Sequence, residues 1–254
     1  MKNIFITGGT GKIGGQIVAH YLREGQTVIT TSRKKENALS LQSRFELSSK
    51  MMSNLHVIEV NFKDNNAEKT IINFFISNKK LLPHVLVNNA RSLDNLKTDE
   101  KGQSSVDAIA NEYLINVILP YRLSVGLANI SPVLYCIINI SSIYGIVPFN
   151  PNLYTNYEKS APIQYSLSKA AVIHLSKELS VRLREQKIRV NTVSYGGVIG
   201  RVDEDFKKRY ALLCPEGVML TEEQTTGPVI FLASEHSLGV TGQNIIQDGG
   251  WTVW

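Results

Sequence analysis

The chain has 254 residues, 43 % hydrophobic and 19 % charged, a balance that supports one sizeable core and excludes a disordered chain. Its 27 basic and 22 acidic residues leave a net charge of +5; the basic residues are dispersed, which argues against nucleic acid and suits a small anionic cofactor or substrate. Two separated cysteines, Cys136 and Cys214, form no disulfide framework, and His20, His56, His84, His174 and His236 have no metal-ligand spacing, so free thiols in a reducing cytoplasm and no metal are expected.

Asn3–Thr7 reads as a first strand that breaks at Gly8 and is too short for the core of a signal peptide. Ile13, Ile17, Val18, Tyr21 and Leu22 mark a helix over 13–23, stopped by Gly25. The β-branched run Thr27–Thr31 predicts a second strand, and a polar helix follows over 36–50. Leu55–Val60 is a third strand, 67–77 a helix and Val85–Val87 a fourth strand. A long helix is expected over 104–129, then the apolar run Val133–Ile140, a strand buried on both faces. The remaining elements are a helix over 164–186, a strand over 189–193 and a short last strand over 244–246.

This alternation predicts one α/β domain over 1–254: a doubly wound parallel sheet, a Rossmann fold, of about seven strands with helices on both faces. Two irregular insertions, near 143–163 and 195–221, follow strands, at the edge where open α/β sheets bind ligands. No apolar run approaches the roughly 20 residues of a membrane helix, and a cytoplasmic protein is expected.

Thr7-Gly8-Gly9-Thr10-Gly11-Lys12-Ile13-Gly14 lies between the first strand and the first helix. Glycines there admit a pyrophosphate to the backbone, and the helix N-terminus offers it unpaired N–H groups. At the end of the second strand stands Ser32, not an acid, followed by Arg33. An arginine there can clamp a 2′-phosphate, with Lys12 in reach, so NADP(H) is preferred and NAD(H) remains open. Tyr165 and Lys169 share a helix face at i and i+4. A free phenol titrates near 10, and a neighbouring ammonium favours the phenolate, so the two form an acid/base couple. Ser141-Ser142 ends the buried fifth strand and offers hydroxyls to a substrate oxygen.

Taken together, Thr7–Gly14, Asn88-Asn89-Ala90, Asn116, Ile140-Ser141-Ser142, Tyr165–Lys169 and Asp248-Gly249-Gly250 occur in an order that resembles the short-chain dehydrogenase/reductase family along the whole chain. The resemblance implies that Tyr165 exchanges a proton with substrate, Lys169 tunes Tyr165 and holds the nicotinamide ribose, and Ser142 polarises the carbonyl. It further implies that Asn116 holds a water leading from Lys169 towards solvent. Gly8, Thr10, Gly11, Lys12, Ile13, Gly14, Ser32, Arg33, Asn61, Phe62, Asn89, Ala90, Tyr165, Lys169 and Val198 would line the cofactor. Departures from the family pattern are Lys12 at the middle-glycine position, Arg91 after Asn88-Asn89-Ala90, Tyr195-Gly196 in place of Pro-Gly, and Gly200 in place of a threonine.

The stretch between Ser142 and Tyr165 is longer than usual and carries Phe149, Tyr154, Tyr157, Glu158 and Lys159. Polar aromatics beside charges suit a sugar-like small molecule. With Ser141–Gly145 and Gly249–Thr252, the insertion resembles a subgroup linked to flagellin modification and bacterial surface-sugar biosynthesis. Arg91, Arg201, Lys207, Lys208 and Arg209 are then candidates for phosphate contacts, or a solvated face. A 3-oxoacyl carrier-protein reductase and a non-catalytic cofactor-binding subunit stand as alternatives. Apolar positions Val172, Leu175, Leu179 and Leu183, with Trp251 and Trp254, suggest a homodimer or homotetramer.

Overall fold

Aliphatic and β-branched runs become strands with almost no exposed residue; β2 (Thr27–Ser32) and β5 (Cys136–Ser142) are buried throughout. The computed structural model describes residues 1–254 except Arg201. Among the described residues the other strands are β1 (Asn3–Ile6), β3 (Leu55–Glu59), β4 (Val85–Asn88), β6 (Arg189–Tyr195) and β7 (Asn244–Gln247). They pair in parallel in the order β3-β2-β1-β4-β5-β6-β7. Strand order reverses between β1 and β4, which opens a crevice at their C-terminal ends.

Helices cover both faces because both faces are apolar. On one, Ile4, Ile6, Val28, Val87 and Ile138 pack against Ile17, Val18 and Leu22 of α1 (Lys12–Arg23). Opposite them, Phe5, Ile29, Leu86 and Ile137 meet three further helices. The short α2 (Leu39–Arg44) and α3 (Ser49–Met52) come between these in the chain. The opposing helices are α4 (Ala67–Ser77) and, beyond α5 (Val106–Tyr113), α6 (Leu119–Ile130) and, after α7 (Tyr157–Ser160), α8 (Ile163–Arg182). Then come α9 (Glu204–Leu212) and α10 (Gly227–Ala233).

Several boundaries differ from expectation. The polar helix over 36–50 is a 3₁₀ turn and two short helices, broken where Glu46 takes φ 52° so that Phe45 and Leu47 can both be buried. The long central helix contains a π turn, Leu114–Ile118, between α5 and α6. Together, 106–130 are long and apolar enough to cross a membrane by length and composition. Leu119, Leu123 and Leu127 instead face the sheet, and Glu112 and Asn116 are buried with them. The 143–163 segment is folded rather than irregular. It forms a 3₁₀ turn at Ile143–Gly145, another at Pro151–Leu153, and α7. With α9 and the C-terminus it builds a satellite core of Ile143, Leu153, Tyr210, Cys214, Met219 and Trp251. Val172, Leu179 and Leu183 are buried within the chain's own packing and Trp251 stacks on Tyr210 at 4.5 Å, whereas Trp254, the other apolar residue singled out at the C-terminus, is exposed.

A buried polar ladder ties the central strands to α6 and α8. Asn88 Nδ2 donates to Asn139 Oδ1 (2.8 Å) and Ser124 Oγ (3.4 Å); Asn139 Nδ2 donates to Ser176 Oγ (2.8 Å), which also accepts from Thr192 Oγ1 (2.7 Å). These bonds, which leave Asn88 Oδ1 without a partner among the described residues, fix where α6 and α8 lie on the sheet.

The glycine loop is set by equally close packing. Gly8 has φ +69°, and a Cβ there would lie 2.9 Å from Ala90 Cα. At Gly14, within α1, a Cβ would lie 2.4 Å from the Gly8 carbonyl oxygen and 2.6 Å from Asn89 Nδ2. Glycine-to-alanine in a helix ordinarily stabilises by about 1 kcal/mol. Here the collision with backbone outweighs it, so Gly14→Ala should destabilise the protein by about 1–3 kcal/mol, read as a lowered Tm.

Candidate active site

Four elements meet at the crevice: the glycine loop, the end of β4, the end of β5 and the start of α8. Thr7 is the tie between the first two. Its hydroxyl accepts from the backbone N–H of Asn89 (3.0 Å) and Ala90 (3.1 Å), while Asn89 Nδ2 donates to the carbonyls of Thr7 (3.0 Å) and Gly8 (3.2 Å). Asn89 thus holds the loop, a role the sequence reading, which placed it along the cofactor, did not find. Gly11 caps α1 without any side-chain hydrogen bond, and the first turn carries no acid. The α1 amides are therefore left for an anion. Ile13 packs on the core just behind them, and Thr10 is half-buried at the turn. A nicotinamide dinucleotide fits this loop: its glycines let the backbone turn and pack where a Cβ would strike Ala90, Thr30 or the Gly8 carbonyl, and the uncapped first-turn amides match a pyrophosphate.

The adenosine end lies at the strand ends of β2 and β3. Ser32 is 6 % exposed and its Oγ has no partner among the described residues, while the adjoining Arg33 is exposed. The backbone N–H of Val60 donates to Ser32 O (2.9 Å), which brings Asn61 and half-buried Phe62 alongside. Lys63 pairs with Asp94 (3.2 Å), and the Lys63 ammonium, helped by Arg33, holds the Asp94 carboxyl below its usual range. Lys12 does not join Arg33. Its ammonium pairs with Glu222 (3.6 Å) and lies where a Cβ on Gly200 would sit, because Glu222 offers the nearest negative charge. In this structure Lys12 therefore lies against Glu222 and close to Gly200.

Lys169 is 4 % exposed, and its Nζ donates to the carbonyl of Ile140 on β5 (2.9 Å). Burial lowers its pKa to about 8; Arg91 lowers it further and Glu112 opposes the shift. Lys169 Nζ lies 5.8 Å from the centroid of the half-exposed Tyr165 ring, and the Arg91 guanidinium lies 5.4 Å from the same centroid. The two serines divide their work. Ser141 Oγ donates to Lys169 O (2.8 Å), and Ser142 Oγ accepts from Tyr144 N (3.3 Å) at the crevice. The turn after Ser142 packs hard on α8, where a Cβ on Gly145 would lie 2.7 Å from the Lys169 carbonyl. Asn116 Nδ2 donates to Ser168 Oγ (3.0 Å) and Glu112 Oε1 (2.6 Å), and Asn116 Oδ1 has no partner among the described residues. Val198 bridges to Leu220 beyond β6, beside the same crevice.

Over the site stands an aromatic wall. Tyr144 and Phe149 stack at 3.9 Å, the Tyr144 and Tyr154 hydroxyls are 2.5 Å apart, and Tyr144 meets Tyr165 edge-on at 6.5 Å. Burial pushes both phenols up, Tyr154 to about 12; the Tyr154 hydroxyl adds to the rise at Tyr144, whereas the hydrogen bond with Tyr144 opposes it at Tyr154. Several expected basic contacts are spent elsewhere: Arg209 Nε donates to Leu153 O (2.8 Å), Lys207 pairs with Glu204 and Lys208 with Asp205. Arg201 lies outside the described residues. The sequence reading missed Glu112, although its i−4 spacing from Asn116 puts both on one helix face. Asp248, noted in the sequence only as part of a matching motif, accepts from the backbone N–H of Gly250 and Thr252 (2.9 Å each) and so locks the C-terminal turn.

Residues 10–252 match the family described as Enoyl-(Acyl carrier protein) reductase. Over 115 residues the chain is 36 % identical to the Post-translational flagellin modification protein A of Campylobacter coli, which covers 45 % of each chain. It is 30 % identical to the 3-oxoacyl-[acyl-carrier-protein] reductase FabG of Rickettsia conorii, over 98 % of this chain and 96 % of that one. The short-chain dehydrogenase of Leptospira borgpetersenii serovar Hardjo-bovis, solved with bound NAD+, superposes with a TM-score of 0.84 at 27 % identity, covering 99 % of this chain and 92 % of that one. With this match running almost from end to end, and the same order of parallel strands beneath it, the chain belongs to the short-chain dehydrogenase/reductase family of oxidoreductases.

Proposed function

We propose that the protein is an NADP-preferring carbonyl reductase or alcohol dehydrogenase acting on a polar, sugar-like substrate that carries an anionic group. The observation that carries this reading is the buried ammonium of Lys169 beside the half-exposed ring of Tyr165, at the end of β5 where Ser142 stands. A bound nicotinamide supplies or accepts the hydride. The chain's own residues manage the oxygen. Ser142 Oγ donates to the substrate carbonyl, Tyr165 delivers its phenolic proton to that oxygen as negative charge develops, and Lys169 stabilises the phenolate left behind.

Substrate class is argued from the wall. Tyr144 and Tyr154 present hydroxyl-bearing rings beside Tyr165, which favours stacking and hydrogen bonding over an acyl chain. Arg91 brings a guanidinium to the mouth of the site, and similarity to a flagellin modification protein supports a sugar-derived substrate. Full-length similarity to a 3-oxoacyl carrier-protein reductase favours that second activity, and turnover of a keto-sugar phosphate panel against 3-oxoacyl thioesters decides between them. For the cofactor, the unpartnered Ser32 hydroxyl and the adjoining Arg33 support a 2′-phosphate. Exposed Leu167 and Val181 on α8 support a homodimer or homotetramer.

Tyr165→Phe should lower kcat by about a hundredfold or more with the fold intact, and unchanged turnover would remove Tyr165 from the reaction. In the unaltered enzyme, kcat/KM for reduction should fall as the pH rises through about 8, where Lys169 loses its charge; a flat profile to pH 10 contradicts its role. Arg33→Ser should raise KM for NADPH by about ten- to hundredfold while leaving KM for NADH nearly unchanged. An equal effect on both cofactors would assign the adenosine end differently.

A further inference from the structure

A second buried titratable group lies close to Lys169, and the proton transfers described so far do not use it. Glu112, near the end of α5, is 1 % exposed. Carboxylates are seldom buried this fully without a paired cation. Among the described residues its only hydrogen bond is the one it accepts at Oε1 from Asn116 Nδ2, 2.6 Å, and Oε2 has no partner. Asn116 sits in the π turn, whose wider ladder is the kind of local distortion that re-aims side chains at functional sites.

Two further atoms here lack partners among the described residues: Asn116 Oδ1 and Asn95 Nδ2. Gln164 and Ser168 of α8, both 0 % exposed, close the space around them. Gln164 Nε2 donates to Asn95 O (2.7 Å) and Ser168 Oγ receives Asn116 Nδ2 (3.0 Å), so the surrounding framework is fixed. Unpartnered polar atoms gathered from three elements in a closed polar space form a setting that holds ordered water.

The charged groups that face Glu112 are Lys169 on α8 and Arg91 after β4. Burial pushes the Glu112 carboxyl up, against the pull of Asn116, Lys169, Asn95 and Arg91. Lys169 is pushed the opposite way, by burial first and then by Arg91. The affinities of the two groups for a proton are thus brought towards each other, the condition for passing one between them.

We propose that Glu112 is a positioning residue for proton exchange: it recharges Lys169 through a water held by Asn116. The proposal rests on Tyr165 and Lys169 as the acid/base couple. In reduction, hydride adds to the carbonyl carbon and the Tyr165 O–H bond breaks. Its proton goes to the substrate oxygen, which holds the electron pair of the former π bond. The phenolate takes a proton from the Lys169 ammonium; the Glu112 carboxylate then takes one from solvent and passes it, through the water, to the neutral amine, which returns Glu112 to the anion. In oxidation each transfer runs backwards, and the proton leaves through Glu112.

The test is Glu112→Gln, which keeps the size and the acceptor for Asn116 but carries no exchangeable carboxyl proton. Steady-state kcat and KM are measured against pH in both directions, with thermal unfolding alongside. The expected result is kcat about ten- to hundredfold lower with KM changed by less than about twofold. The alkaline limb should also move below about 8, because the anion that raises Lys169 is gone. Glu112→Asp, which keeps the carboxyl, should recover part of the rate and serves if the glutamine variant does not fold. A Glu112→Gln enzyme with unchanged kcat and an unmoved limb overturns the proposal while Tyr165→Phe remains inactive. Full turnover by Tyr165→Phe instead overturns the couple on which it rests.

Discussion

One arrangement organises this molecule: a lysine is buried inside the protein, next to a phenol ring. Water would keep Lys169 charged at no cost, but it would also screen its field. The protein instead buries Lys169 and gives it the carbonyl of Ile140. Ile140 lies one residue past the last β5 partner of β4, Asn139, and α8 is near enough only because Gly145 has no side chain and Ser141 ties the strand to the Lys169 backbone. The polar ladder from Asn88 to Thr192 then holds α8 against the sheet along its length. Packing, strand register and electrostatics therefore serve one distance, that between Nζ and the phenol ring.

The same logic applies across the crevice. Gly8 and Gly14 do more than make room for a ligand; they allow Thr7, Asn89 and Ala90 to lock together before any ligand arrives. Such a cradle is formed in advance, so little chain ordering is left to oppose cofactor binding.

Sequence made the parallel sheet legible because its central strands are apolar on both faces and most connections have a helical period; α9 and α10, after β6, were not read from it. Tyr165, Lys169, Ser142 and the glycine loop were legible because their chemistry needs fixed spacings within single elements. What stayed hidden depends on contacts between distant segments. Nothing local marks Glu46 as a helix break, or Leu114–Ile118 as a π turn; tertiary packing decides both. Lys12 reads as a phosphate ligand until Glu222, far along the chain, is brought beside it. The apolar stripe on α8 reads as an interface until it proves to be the side that meets the sheet.

The satellite core joins parts of the chain that are remote in sequence. Trp251 underlies Tyr210, the Tyr210 hydroxyl accepts from the Gly197 backbone N–H (2.9 Å), and Arg209 on the same helix grips the insertion at Leu153. Shape at the mouth of the crevice is therefore inherited from the tail of the polypeptide. A new shape at the mouth could be acquired by altering the last few residues and the 143–163 segment as one module, with the sheet, Tyr165 and Lys169 left untouched.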